Sequence, residues 1–484
     1  MKGKVYLVGA GPGKADLITV RGLNILKEAE VVIYDYLVDK SLLEYTKKGA
    51  ELICCDELGK KRYSNGFLIH QEKINQLLTK KAKEGKKVVR LKNGDPSIFG
   101  RLSQELEILH KNKIDFEIVP GVTAASAASA FSGIPLTDRR FASSCVFVTG
   151  HEDPTKKKSL IDWKSIAKQA TVVLYMAVEN ISFIVKKLIE EGMSKDTPIA
   201  IIQDVSLITQ KTLITTLKDI LKLKTVEVKP PAIIIIGKTV KLEKKFNWLK
   251  KSKKILFTGL SGERFFLKGT YFHLPLIKIE PIDDYREFDN HLKNISDYDW
   301  IIFTSRYGVE YFFKRLQFIG YDSRILKDVK IAAIGNSTKN RLLDFGIKAD
   351  LVPKKESSEG LLREFKKIDL KGKKIFLPRS NLSDKGLAKG LASYGAEVIS
   401  SVAYKNVMPK DLPDLPAFVK TSAGIHRSLW RRLIDLNFFN EIMFTSPSTV
   451  RNFKKRYARL PQGVKIKCIG DVTLREARKC KLLG

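Results

Sequence analysis

The sequence predicts an α/β protein in two halves, each built of two lobes. Three observations carry this. Short β-rich runs alternate with helical patterns through the first half, and a glycine-rich turn follows the first strand at once. The second half repeats a strand–turn–helix pattern in which two different turns recur in the same order.

The runs of the first half, in order, are KVYLVGA, AEVVIYD, KKVVRLK, DFEIVPG, SCVFVTG, TVVLYMA, TPIAIIQ and PAIIIIG. RGLNILKEAE, HQEKINQLLTKKAKEG and NISFIVKKLIEEG lie between them with helical spacing, which predicts largely parallel sheets. PGVTAASAASAFSGIP is small and apolar enough for a tightly packed helix with Thr123 near its first turn. The lobes are therefore expected over about 1–119 and 120–244, with a lysine-rich linker at 245–252 and a fresh strand, ILFTG, opening the second half, 253–484. There, WIIFTSRYGVEYFFKRL and VKIAAIGNSTKNRLLDFG are echoed by EIMFTSPSTVRNFKKRY and VKIKCIGDVTLREARKC. Two similar lobes facing each other are expected, with a ligand cleft between them and the turns at strand C-termini.

The length of 484 residues allows roughly two to four domains with a buried core in each. No run of 18 apolar residues occurs, so no membrane span is expected. The chain enters a strand at once, leaving no room for a signal peptide. Five cysteines without metal or disulfide spacing suit a reduced, cytoplasmic protein and no metal site. The net charge of +34 attracts polyanions, whether nucleic acid, anionic lipid or a small polycarboxylate. The lysines are scattered, however, and runs such as KKAKEGKK are short, as on a solvated surface.

VYLVGAGPG tests the dinucleotide reading. Gly9 and Gly11 fit G-x-G-x-x-G, and Asp35 imitates the ribose-binding acid. The third glycine's place holds Lys14, and Pro12 removes a main-chain donor where a pyrophosphate would need one. The next turn, Asn93-Gly94-Asp95-Pro96, follows a strand and suits a ligand with hydroxyl or ammonium donors, though such a turn also makes an ordinary chain reversal.

With YDYLV, LGKKR, NGDPSIFGR, PGVTAASAASAFSGIPLT, FVTGH and LYMAVEN in order, residues 4–240 closely resemble uroporphyrinogen-III C-methyltransferase, a tetrapyrrole methylase. The resemblance implies two α/β lobes holding S-adenosylmethionine in their cleft, methylation of uroporphyrinogen III at C2 and C7 to precorrin-2, and a possible homodimer through this half. It implies cofactor contacts at Pro12, Asn93, Gly94, Asp95, Ile98, Thr123, Ala124, Met176 and Val205. It makes Asp35 the proton acceptor and Lys60 the donor, beside the plainer readings of a loop cap and a surface lysine. Three positions depart from the family pattern: Asn93 replaces a glycine, for which asparagine is the best substitute if φ is positive; Asp138 replaces a histidine; and Val205 replaces a glycine near the adenosine.

GTYFHLPLIKIEPIDDY, IIFTSRYGVE, IAAIGNSTKN, FLPRSNLSDKGL, SVAYKNV and FTSPSTVRNF resemble uroporphyrinogen-III synthase, with a two-lobed fold. That family closes hydroxymethylbilane to uroporphyrinogen III with inversion of the last ring, and the resemblance implies no cofactor. It implies substrate contacts at Thr304, Ser305, Ser337, Thr445 and Ser446, and Tyr404 as proton donor to the departing hydroxyl. The Thr-Ser pairs also suit helix N-caps, which use the same helix end as anion binding. The first helix is brief (GLSGERFFLKG) and the chain ends soon after the last repeat, so a trimmed outer lobe is expected.

Together these readings predict a bifunctional enzyme whose substrates carry eight carboxylates, to which a basic surface would lend electrostatic focusing. The alternatives are a methylase of this fold acting on another substrate beside an inactive second half, and a basic nucleic-acid-binding module. No recognition motif supports the latter.

Overall fold

The computed structural model describes residues 3–58, 63–64, 67–152, 159–223, 229–260, 270–410, 420–421, 424–425, 436–457 and 460–483. The chain forms two compact units that divide between Ser252 and Lys253. Lys60 and most of GLSGERFFLKG lie outside the described residues. Among the described residues no helix is long and apolar enough to cross a membrane.

The first unit opens with β1 (Val5–Gly9), α1 (Val20–Glu28), β2 (Val31–Tyr34), β3 (Glu51–Cys54), α2 (Ile69–Lys83), β4 (Val88–Lys92), α3 (Leu102–Lys111) and β5 (Phe116–Val119). Its sheet has the order β3-β2-β4-β1-β5 and is parallel throughout. Val31, Val32, Ile33, Val88, Val89 and Leu91 are all buried, the near-continuous apolar pattern of a sheet covered on both faces. The adjacent strands β1 and β4 send their connections in opposite directions, β1 towards β2 and β4 towards β5. Their C-terminal ends therefore flank a crevice where the strand order reverses, the place open α/β sheets take ligands.

The second lobe comprises α4 (Ala124–Ser132), β6 (Cys145–Thr149), β7 (Thr171–Tyr175), α5 (Ile181–Glu190), β8 (Pro198–Gln203), β9 (Lys211–Thr216) and β10 (Ala232–Gly237). Its order is β9-β8-β10-β7-β6, and here the expectation of largely parallel sheets fails. Only β6 and β7 pair in parallel; the other three pairings are antiparallel. KTLITT, absent from the strand runs picked out in the sequence, is a strand that returns on β8 as a hairpin, and β10 slots between β7 and β8. In β10, Ile234 and Ile236 enter one core while Ile233 and Ile235 enter the other, so a single four-isoleucine run joins both faces.

Residues 245–252, expected as a linker, carry α6 (Trp248–Lys251). Trp248 Nε1 donates to Ala130 O at 2.8 Å and its ring meets Phe131 with centroids 5.5 Å apart. The segment thus packs on α4 because an aromatic side chain among the lysines finds an apolar helix.

The second unit begins with β11 (Lys254–Phe257), β12 (Thr270–His273), β13 (Lys278–Glu280), β14 (Trp300–Phe303), α7 (Arg306–Phe318), β15 (Lys330–Ala333), α8 (Asn336–Leu343) and α9 (Ser358–Phe365). It continues with β16 (Lys374–Ser380), α10 (Gly386–Ser393), β17 (Glu397–Val407), β18 (Glu441–Phe444), α11 (Pro447–Arg456), β19 (Lys465–Cys468) and α12 (Asp471–Lys479). The sheets run β12-β11-β18-β19 and β13-β17-β16-β14-β15. The repeat is visible as β14–α7–β15–α8 and β18–α11–β19–α12, each with its two strands paired in parallel. Asn452 Nδ2 donates to Leu276 O at 2.7 Å, and Arg475 pairs with Glu359 at 3.1 Å, tying α12 of one lobe to α9 of the other.

Candidate active sites

In the first unit, the turns after β1, β4 and β5 meet at the crevice. Gly11 N donates to Gly94 O at 3.2 Å and Gly94 N to Gly11 O at 2.9 Å, so the first two turns pair like short strands. Asp95 joins the third: its Oδ2 accepts from Gly121 N at 2.8 Å, while Oδ1 accepts from Ser97 N at 2.7 Å. A Cβ at Gly9 would lie 2.6 Å from Gly121 Cα, and one at Gly121 would collide with Gly94 O. Close backbone approach is thus the reason for these glycines. The left-handed residue of the middle turn is Gly94, with φ of 72°, and not Asn93. The glycine-to-asparagine exchange at 93 therefore needs no special backbone, and what it adds is a side chain. Asn93 Oδ1 is buried and has no hydrogen-bond partner.

Of the remaining expected cofactor residues, Pro12 and Ile98 belong to the first lobe, and Thr123, Ala124, Met176 and Val205 come from the second. Thr123 Oγ1 lies 2.6 Å from Tyr175 OH, which also accepts from Ala125 N at 3.1 Å, fixing the start of α4 with Ala124. Met176 follows with φ of 52° and an exposed side chain, an apolar group held out by a strained backbone. Ile98 packs against the same core as Tyr175. Val205 is buried, and a Cβ on Gly13 would lie 2.8 Å from its carbonyl oxygen. Beside it, Ser206 Oγ accepts from Lys14 N at 3.0 Å and donates to Pro12 O at 3.4 Å, holding the β1 turn to the second lobe.

Beneath the turns lies a buried charge network. Arg90 bonds Asp35 Oδ1 at 2.5 Å through Nη2 and Glu105 Oε1 at 3.0 Å through Nε, and Lys92 Nζ bonds Glu105 Oε2 at 2.6 Å. Asp35 Oδ2 accepts from Asn93 N at 3.0 Å, so the network grips the middle turn through the candidate base. Burial pushes Asp35 up, but the charges of Arg90 and Lys92 and the Asn93 N–H outweigh it and hold the carboxyl below its ordinary value. Its side chain keeps 31% exposure, which leaves a carboxylate that is ionised, anchored and still reachable.

In the second unit, Ser305 caps α7 by accepting from Gly308 N at 2.9 Å, and its Oγ lies 2.8 Å from Tyr404 OH. Tyr404 is buried and stacks on Tyr311 with centroids 5.7 Å apart. Burial raises its pKa, partly offset by hydrogen bonding to the Ser305 and Ser380 hydroxyls. Thr304 is half-buried beside Ser305. Ser446 caps α11 in a capping box with Thr449, and Thr445 packs on Gly259, where a Cβ would sit 2.7 Å from its Cγ2. Asn406 Nδ2 reaches Ser448 Oγ at 3.5 Å, joining the Tyr404 strand to α11. Ser337 stands apart. It is exposed on α8, whose first turn is occupied by the chain's own carboxylate: Asn336 Nδ2 donates to Glu356 Oε1 at 2.8 Å.

Comparison with known proteins follows this division. Residues 4–221 match the family model of tetrapyrrole (corrin/porphyrin) methylases, and residues 267–483 that of uroporphyrinogen-III synthase HemD. A porphyrin biosynthesis protein HemD of Ruminiclostridium josui is 33% identical over 99% of this chain and 94% of its own length. The chain belongs to the tetrapyrrole methylases and, through its second half, to the uroporphyrinogen-III synthases. A uroporphyrinogen-III C-methyltransferase of Methanocaldococcus jannaschii is 46% identical over 50% of this chain and 98% of its own length. The structure of a Thermus thermophilus uroporphyrin-III C-methyltransferase complexed with S-adenyl homocysteine has 34% identity, covering 50% of this chain and 94% of that one, with a TM-score of 0.42.

The methylase half presents unpartnered acceptors that suit a ligand with N–H or O–H donors. The orphaned Asn93 Oδ1 is a buried acceptor at the crevice, and Asp204 Oδ1, next to Val205, is a second buried atom without a partner. Sequence reading missed Tyr175, Ser206, Arg90, Lys92 and Glu105. A signal for the charges was present: Arg90 and Lys92 lie two apart, on one face of an otherwise apolar strand, and require a buried acid.

Proposed function

We propose that the synthase half closes hydroxymethylbilane to uroporphyrinogen III and that the methylase half methylates this product at C2 and C7 to precorrin-2. What most supports the reading is the meeting of three turns at the strand-order reversal, with the unpartnered Asn93 acceptor among them. S-adenosylmethionine would supply the methyl as an already activated sulfonium. The chain's part is alignment: Pro12 and Val205 hold one wall, Asn93 to Asp95 with Ile98 another, and Thr123, Ala124 and Met176 a third. Asn93 Oδ1 takes an N–H or O–H of the cofactor.

Methyl transfer makes the attacked pyrrole carbon quaternary and leaves the ring cationic, and that charge is relieved when the ring N–H or an adjoining carbon loses a proton. A carboxylate of low basicity is sufficient to receive it, and Asp35 is ionised, anchored by Arg90 and partly exposed. In the synthase half, Tyr404 keeps its proton because burial raises its pKa, and it gives that proton to the departing hydroxyl. Ser305, Thr304, Thr445 and Ser446 bind substrate carboxylates at the helix starts, and Ser337 extends this set with a weaker, exposed contact.

Two assays test the proposal separately. Preformed uroporphyrinogen III with S-adenosylmethionine is expected to gain two methyls by mass; no incorporation would remove the methylase assignment. Hydroxymethylbilane alone is expected to give isomer III, and isomer I as the only cyclic product would remove the synthase assignment.

A further inference from the structure

Arg379, near the end of β16, is 7% exposed, and its Nε has no hydrogen-bond partner. Among the described residues no carboxylate forms an ion pair with it. Asp384 lies within electrostatic reach, but its Oδ1 accepts from Gly386 N. The other buried arginine among the described residues shows what is missing: Arg90 is gripped by Asp35 and Glu105 together. A buried guanidinium left alone destabilises the fold, because its desolvation is not offset. Burial accordingly lowers the basicity of Arg379.

Its position indicates what the missing partner is. Arg379 stands at the C-terminal end of a parallel strand at the centre of its sheet, the edge where ligands bind. The register with β17 slips between Arg379 and Ser380, a bulge that re-aims side chains, and bulges are over-represented beside active sites. Arg379 and Tyr404 are close enough for each to shift the other's proton affinity, so the unpaired cation and the proposed proton donor share one strand-end cluster. A guanidinium fork matches a carboxylate through two parallel hydrogen bonds, which a hydroxyl or a main-chain N–H does not provide.

We propose that Arg379 is a carboxylate anchor: it grips one carboxylate of the linear tetrapyrrole and so fixes the reacting end beside Tyr404. This rests on the synthase reading of the second half. Rates of isomer III formation by the full chain, measured against hydroxymethylbilane concentration for wild type, Arg379→Met and Arg379→Lys, test it together with thermal melts. Arg379→Met should raise KM about tenfold or more, with a smaller change in kcat. Its melting point without substrate should equal or exceed that of wild type, because an uncompensated buried charge has been removed. Arg379→Lys should retain part of the affinity. A wild-type KM in Arg379→Met overturns the anchor, as does a much lower melting point with KM restored on cooling, which makes the residue structural. If wild type itself forms no isomer III, the synthase reading falls and the anchor with it.

Discussion

Both halves gather their candidate site residues mainly at the C-terminal ends of parallel strands, yet they build these clusters by opposite means. In the methylase half the turns bind one another: Gly11 pairs with Gly94, Asp95 holds Gly121, and Asp35 holds Asn93. The charges beneath are matched, cation to carboxylate. In the synthase half each turn first serves its own helix, Ser305 capping α7 and Ser446 capping α11. The groups between are hydroxyls, and the buried Arg379 has no partner among the described residues. A site of mutual contacts tolerates little change in any member, whereas a site of separate caps can be altered piece by piece.

Glu105→Ala should break this contrast hardest. It strands Arg90 and Lys92 in the interior, where removing one member of a buried pair costs about 3–5 kcal/mol. Methyl transfer should be lost and the first unit should unfold at lower denaturant, while isomer III formation continues. Retained methylation would mean that the turns do not depend on the charges below them.

Asp35→Asn should slow methyl transfer by about 10²-fold or more. Because Asp35 is held below its ordinary value, wild-type transfer should not fall as pH drops through about 4, the unperturbed carboxylate value. The linked stability has the same sign: present above the unfolded pKa, and lost only as pH falls through the lower folded one. A rate that declines already near pH 5 to 6 would count against Asp35 as the acceptor.

Tyr404→Phe should lower isomer III formation by about 10²-fold with little change in melting point. Since burial raises Tyr404, the wild-type rate should stay level as pH rises to about 10, the ordinary tyrosine value. An alkaline decline well below that would assign the proton to another group. Ser446→Ala should have the smallest effect, about 1 kcal/mol of stability for a lost cap. Its KM for the bilane should rise less than in Arg379→Met.

The same contrast governs what the sequence revealed. Motifs such as NGDPSIFGR are specific because Gly94 supplies a left-handed turn and Asp95 a bridge to Gly121, roles few other residues fill. FTS turns are ambiguous because any helix uses such caps, as Ser305 and Ser446 do for α7 and α11. The mostly antiparallel second sheet was not legible, since β7–α5–β8 reads as a parallel crossover and gives no sign that β10 will insert between its strands. The pairing of Arg90 and Lys92 with Glu105 depends on α3 folding back over β4, which strand alternation alone does not convey.

The central claim is that one chain performs two consecutive steps. The most direct test supplies the full chain with hydroxymethylbilane as the sole tetrapyrrole, together with S-adenosylmethionine, and reads products by mass and isomer. The account predicts a type III macrocycle carrying two added methyls. Uroporphyrinogen I as the only cyclic product, or isomer III without added methyls, would contradict it.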